Sequence, residues 1–106
     1  MPVVPSGIVN QRQVAAAVQK AAKALAPDVV RIRYTLKSDS TGDPAIFFRV
    51  LLSDRASRLD KIYETTERIS QRILDIVKPR EKYGLEAYFN FRSVSEHAQL
   101  KDAAWD

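Results

Sequence analysis

The chain contains no cysteine and a single histidine, which excludes disulfides, thiolate metal sites, cysteine nucleophiles and multi-histidine metal centres. Glycine is scarce. Gly7, Gly42 and Gly84 lie too far apart to build a loop whose backbone N–H groups cradle a phosphate. No apolar run approaches the roughly 20 residues that span a bilayer. The stretch Met1-Pro2-Val3-Val4-Pro5 lacks the basic and apolar regions of a signal peptide, so a cytoplasmic location is expected. Asp39, Asp43, Asp54 and Asp60 fall in or near a loop and a helix start but lack the alternating ladder and closing Glu of a calcium loop. Neither a metal nor a cofactor is expected. Ser95, Glu96 and His97 stand side by side, whereas a catalytic triad is assembled from distant segments around a pocket with oxyanion donors. They read as a solvated polar tail.

What remains is enough for one core. With 106 residues, 45% of them hydrophobic and 28% charged, the chain sits in the range of a single globular domain that folds without covalent staples. The net charge of +4 is unevenly spread: residues 1–53 carry 7 Lys and Arg against 3 Asp and Glu, while residues 54–106 carry 10 of each. A basic first half admits an anionic partner, nucleic acid included.

Asn10-Gln11-Arg12-Gln13 has the form of a capping box, with Val9 and Val14 placed as a hydrophobic staple, so a helix is expected to begin there. Val14, Val18, Ala21, Ala22 and Leu25 follow at helical spacing until Pro27 stops the run. From Val30 the period becomes two. Val30, Ile32, Tyr34 and Leu36 alternate with Arg31, Arg33, Thr35 and Lys37, the pattern of a half-buried strand. Ser38 to Pro44 is a turn cluster, and Ala45 to Leu52 a second strand, which together make a hairpin with a longer loop. Ser53 to Lys78 is a long helical segment with Leu59, Ile62, Tyr63, Thr66, Ile69, Ile73, Ile76 and Val77 on one face; Ser53, Asp54 and Ser57 are its candidate N-caps. Glu64 and Arg68 are spaced for an i,i+4 ion pair. After the turn Pro79 to Gly84, Leu85, Ala87, Phe89 and Phe91 alternate with Glu86, Tyr88, Asn90 and Arg92 in a third strand.

The order is therefore helix, strand, strand, helix, strand: an α+β domain with a three-stranded sheet and two helices packed on one face. Residues 1–94 form this domain and residues 95–106 a C-terminal tail. Over residues 10–93 the order is similar to the KH-like arrangement of a small bacterial ribosome-binding factor, and it also resembles a ferredoxin-like fold without its first strand. The KH resemblance implies nucleic-acid binding through a GxxG loop, which neither Arg55-Ala56-Ser57-Arg58 nor Pro79 to Gly84 supplies. No functional residue carries over.

The informative surface is the sheet face that the helices leave open. Period-two alternation puts Arg31, Arg33, Arg49 and Arg92 there, interleaved with Phe47, Leu51 and Tyr88, plus Asn90. Arginine mixed with aromatic and aliphatic groups is the composition of interface hot spots. The expected function is that of a small, non-catalytic accessory or adaptor protein, an antitoxin-like role included, which self-associates or docks on a protein through this face. Phe47 and Leu51 supply the apolar share such an interface needs. The alternative is an RNA-binding module in which bases stack on the rings and guanidinium groups meet phosphates. An enzyme with a site formed between subunits is the third class. Trp105, nearly alone as a large apolar side chain in the tail, either caps its own domain or anchors in a second chain.

Overall fold

A computed structural model describes residues 10–105; Val9, and with it the staple to Val14, lies outside them, as does Gly7. Asn10 caps the first helix, α1 (Gln11–Ala24), its Oδ1 accepting the Gln13 backbone N–H at 3.1 Å. Val14, Val18, Ala21 and Leu25 are buried, so the stripe of small residues is the face laid on the sheet. Strands β1 (Val29–Ser38) and β2 (Pro44–Leu52) form an antiparallel hairpin. A one-turn 3-10 helix (Leu59–Lys61) leads into α2 (Ile62–Val77). Lys78, in the left-handed region at φ 50°, ends α2, and Pro79 opens the short α3 (Pro79–Tyr83). Gly84 at φ 65° closes α3, a backbone conformation that costs glycine least. Strand β3 (Glu86–Ser93) follows, then α4 (Val94–Leu100) and a last 3-10 turn (Ala103–Trp105).

The sheet order is β1-β2-β3, with β2 central and β3 parallel to it. Parallel neighbours require a crossover, and α2 provides it. This is the expected α+β fold, with α1 and α2 packed on one face. Ile32, Ile46, Phe48, Val50 and Leu52 from the strands meet Val14, Val18 and Ala21 of α1 and Ile69, Ile73 and Val77 of α2 in one core. Phe48 and Phe89 stack within it at 5.1 Å between ring centroids. No helix among the described residues is long and apolar enough to cross a membrane.

Several local expectations are corrected. Val30 is 53% exposed, because a register shift between Val29 and Arg31 puts Val29 into the core instead; a bulge adds one residue and inverts the alternation on its near side. Leu59 and Tyr63, assigned to the buried helical stripe, are 87% and 86% exposed. The helix starts later than the periodicity suggests: Ser53 Oγ accepts the Ala56 N–H at 3.1 Å and caps a turn, leaving the chain to reorient before α2. Arg68 pairs with Asp28 at 3.0 Å, drawn across to the residue just before β1 rather than along its own helix to Glu64. Within the segment Pro79 to Gly84, where a turn was expected, Pro79–Tyr83 is helical. The tail begins as a helix, with Ser93 and Glu96 exchanging side-chain and backbone hydrogen bonds in a capping box, the two-way pattern that satisfies both orphan donors.

Candidate functional site

On the face turned away from α1 and α2, strand register aligns side chains in rows across the sheet: Arg31–Leu51–Arg92, Arg33–Arg49–Asn90, Thr35–Phe47–Tyr88 and Lys37–Ala45–Glu86. Successive strand residues point to opposite faces, so burying Ile32, Phe48 and Phe91 on the helix side brings all of these to the other. Five cations line the face, and the carboxylate in register with them, Glu86, sits 3.9 Å from Arg80 of α3.

The aromatic row is the centre of the uncovered part. Phe47 and Tyr88 stack with centroids 5.0 Å apart and planes 15° apart. At that spacing near-parallel rings overlap rather than lie side by side, so each hides part of the other's face. Lys37 Nζ lies 4.8 Å from the Phe47 centroid, a cation on the ring. Tyr88 is 42% exposed, and its hydroxyl donates to Asp39 Oδ2 at 2.8 Å. The other Asp39 oxygen accepts from Thr41 Oγ1 at 2.7 Å, from the Thr41 N–H at 2.9 Å and from the Asp43 N–H at 2.9 Å. These bonds favour the charged form, the Thr41 hydroxyl most and Tyr88 next, and hold the Asp39 carboxyl down at about 2. The same contact with Asp39 pushes the Tyr88 hydroxyl up from its ordinary value. Tyr88 is thus a neutral ring tied to the hairpin loop, which fixes its orientation.

In the neighbouring row Arg33 faces Arg49 directly across the two strands. Arg49 Nη1 donates to Thr35 Oγ1 at 2.8 Å, which steers one guanidinium along β1, while Asn90 is exposed beside it. Like charges directly opposite each other are unfavourable in an isolated sheet, and both side chains have further interactions of their own.

The row at the far end is covered by the chain's own C-terminal segment. Arg31 Nη2 donates to the Trp105 carbonyl at 2.7 Å, the Arg92 guanidinium carbon lies 4.6 Å from the Trp105 ring centroid, and Arg92 meets Asp102 at 3.4 Å. Leu51, in register between the two arginines, is only 5% exposed, and Trp105 only 6%. Trp105 therefore packs on its own domain, on the sheet face opposite the main core. Helix α4 is moored below it by Ser95, whose N–H and hydroxyl donate to Asp54 at 3.0 and 2.6 Å; these bonds lower the Asp54 carboxyl, the hydroxyl first.

The structure thus brings Arg33, Phe47, Arg49, Tyr88 and Asn90 onto one open surface and gathers Arg31, Leu51 and Arg92 under Trp105. Lys37, Asp39 and Asp102 complete these groups without having been singled out. Lys37 was legible from the alternation, whereas Asp39 read as turn chemistry and Asp102 has no local signal. The residues Ser95 and Glu96 serve as mooring and cap. A cavity of about 330 Å³ lies between α2, α3 and the start of β3, lined by Gln71, Asp75, Pro79, Arg80, Glu81 and Glu86 among others. Among the described residues no group of three or more His, Asp and Glu is arranged to hold a metal ion. Compared with known proteins, the chain matches no family model, no curated protein and no solved structure.

Proposed function

We propose that this chain is a non-catalytic binding module that docks on a protein partner, using the uncovered rows of its sheet to meet an acidic surface with an apolar side chain at its centre. The observation that carries this reading is the Phe47–Tyr88 pair set among Lys37, Arg33 and Arg49. An aromatic centre ringed by cations and amides is the anatomy of an interface core with a polar rim. A second copy is a poor occupant, because face-to-face pairing of the uncovered rows would set Lys37, Arg33 and Arg49 against the same three cations, and like-charge juxtaposition costs several kcal/mol. RNA is also less well served than a flat platform would serve it: base stacking needs free ring faces, and the Phe47 ring is already engaged by Tyr88 and Lys37.

A photo-cross-linking amino acid with a benzoyl-phenyl side chain at position 88, introduced in the native cell, tests this directly. The expected product is a discrete protein adduct that disappears when Arg33→Glu and Arg49→Glu are added. An adduct with RNA or with a second copy of the chain, or no adduct at all, overturns the reading.

A further inference from the structure

The covered row carries information about its own ligand. Three chemically distinct contacts hold the cover: an indole ring on the Arg92 guanidinium, a main-chain carbonyl on Arg31, and the Asp102 carboxylate on Arg92. Aromatic face, carbonyl and carboxylate three residues before the aromatic are the features of a short acidic-aromatic peptide segment. The fit is incomplete, since Arg31 Nε and Arg92 Nη1 are buried with no hydrogen-bond partner. A buried donor left without an acceptor is costly, so an occupant with one more well-placed oxygen would seat better than the resident one. The helix that leads into the cover is lightly packed. Helix α4 buries none of its residues, and Lys101, which joins it to the cover, sits in the left-handed region at φ 49°, where an L side chain is strained. Because Asp54 and Ser95 tether α4 upstream, Lys101 is the point at which the last residues can lift while α4 stays.

We infer that Arg31, Leu51 and Arg92 form a docking groove for an acidic-aromatic peptide segment, and that the chain's own Asp102–Trp105 occupies it as a displaceable cover. That the segment is presented by the docked protein rests on the function proposed above; the groove itself does not. Displacement would uncover Leu51 and both arginines and extend the aromatic-cationic surface by one row.

The test uses the full chain and a fluorescently labelled peptide of residues 98–106, read by anisotropy. A cover attached in cis competes at a high effective concentration, so Trp105→Ala is expected to bind the peptide at least about tenfold more tightly than the unchanged chain. Adding Arg92→Ala should remove that gain. Equal binding to both chains, or no saturable binding to a Trp105→Ala chain with native circular dichroism, overturns the inference. A second measurement covers a variant that does not fold. Trp105 is the chain's single tryptophan, so titrating the unchanged protein with the same peptide carrying Phe in place of its Trp should shift the protein's tryptophan emission to the red with saturation. Unchanged emission at excess peptide would equally sink it. Peptide binding in this assay together with an RNA adduct at position 88 would leave the groove standing and retire the protein partner.

Discussion

Phe47 and Phe48 are chain neighbours on opposite faces of the same strand, and replacing each with alanine separates core from site. Phe48 is fully buried and stacked on Phe89, so Phe48→Ala loses both transfer energy and the packing around a cavity, a cost of about 3–5 kcal/mol. A domain of this length has a total stability of about 5–15 kcal/mol, so the variant should be marginal or unfolded at 37 °C. Phe47 is half-buried and keeps one ring partner and one cation. Losing a stacked pair costs about 0.5–1.5 kcal/mol and an exposed cation–π contact about 0.5–1 kcal/mol, so Phe47→Ala should cost about 1–2 kcal/mol and abolish the position-88 cross-link. At about 4–8 °C per kcal/mol for a small domain, the two melting temperatures should be well separated. Urea unfolding followed by far-ultraviolet circular dichroism measures both, with an unchanged slope in each case. Equal losses for the two variants would refute the assignment of Phe47 to the open face.

Three further outcomes are expected. Because the Asp39 carboxyl is held down at about 2, its bonds to the loop are intact above its ordinary range and are lost as pH falls through about 2; the Thr41 and Asp43 amide resonances should therefore keep their native shifts at pH 3, and movement already complete at pH 4 would contradict this. Ser93→Ala removes the N-cap of α4 and should cost about 1 kcal/mol while raising amide exchange across residues 94–100; exchange confined to other elements would show that the cap does not hold the helix. Glu64→Gln should leave the melting temperature within about 2 °C of the unchanged protein, since Arg68 is engaged by Asp28 and exposed charges away from a partner matter little; a larger fall would point to a Glu64 contact that matters.

The faces of the three strands could be read from alternation because each strand runs straight over most of its length: fixing Ile32, Phe48 and Phe91 as inward sends Arg33, Phe47, Arg49, Tyr88 and Arg92 outward together. Period-two logic failed at Val30 for the same physical reason that it works elsewhere, since one inserted residue inverts everything on its near side. Leu59 and Tyr63 fit a helical stripe, yet spacing alone does not say where a helix begins: Leu59 falls in the 3-10 turn before α2, and Tyr63 stands exposed in the first turn of α2. The cover over Leu51 was out of reach because it joins Arg31 to Trp105 across 74 positions of sequence. Nothing local distinguishes a tryptophan that returns to its own sheet from one that seeks another chain.

The bulge at Val29–Arg31 has a bearing on colloidal behaviour as well as on register. An open three-stranded sheet has two outer strands whose free backbone groups invite pairing with another molecule. On β1 the irregularity bends the strand and the outward Arg33 and Lys37 repel a neighbouring copy, two of the devices that keep outer strands solitary. On β3 the run Ala87-Tyr88-Phe89-Asn90-Phe91 has no bulge against its partner and no charge between Glu86 and Arg92. If the chain forms fibrils under mild destabilisation, that strand is where they start, and a lysine at position 90 would be the substitution that suppresses them.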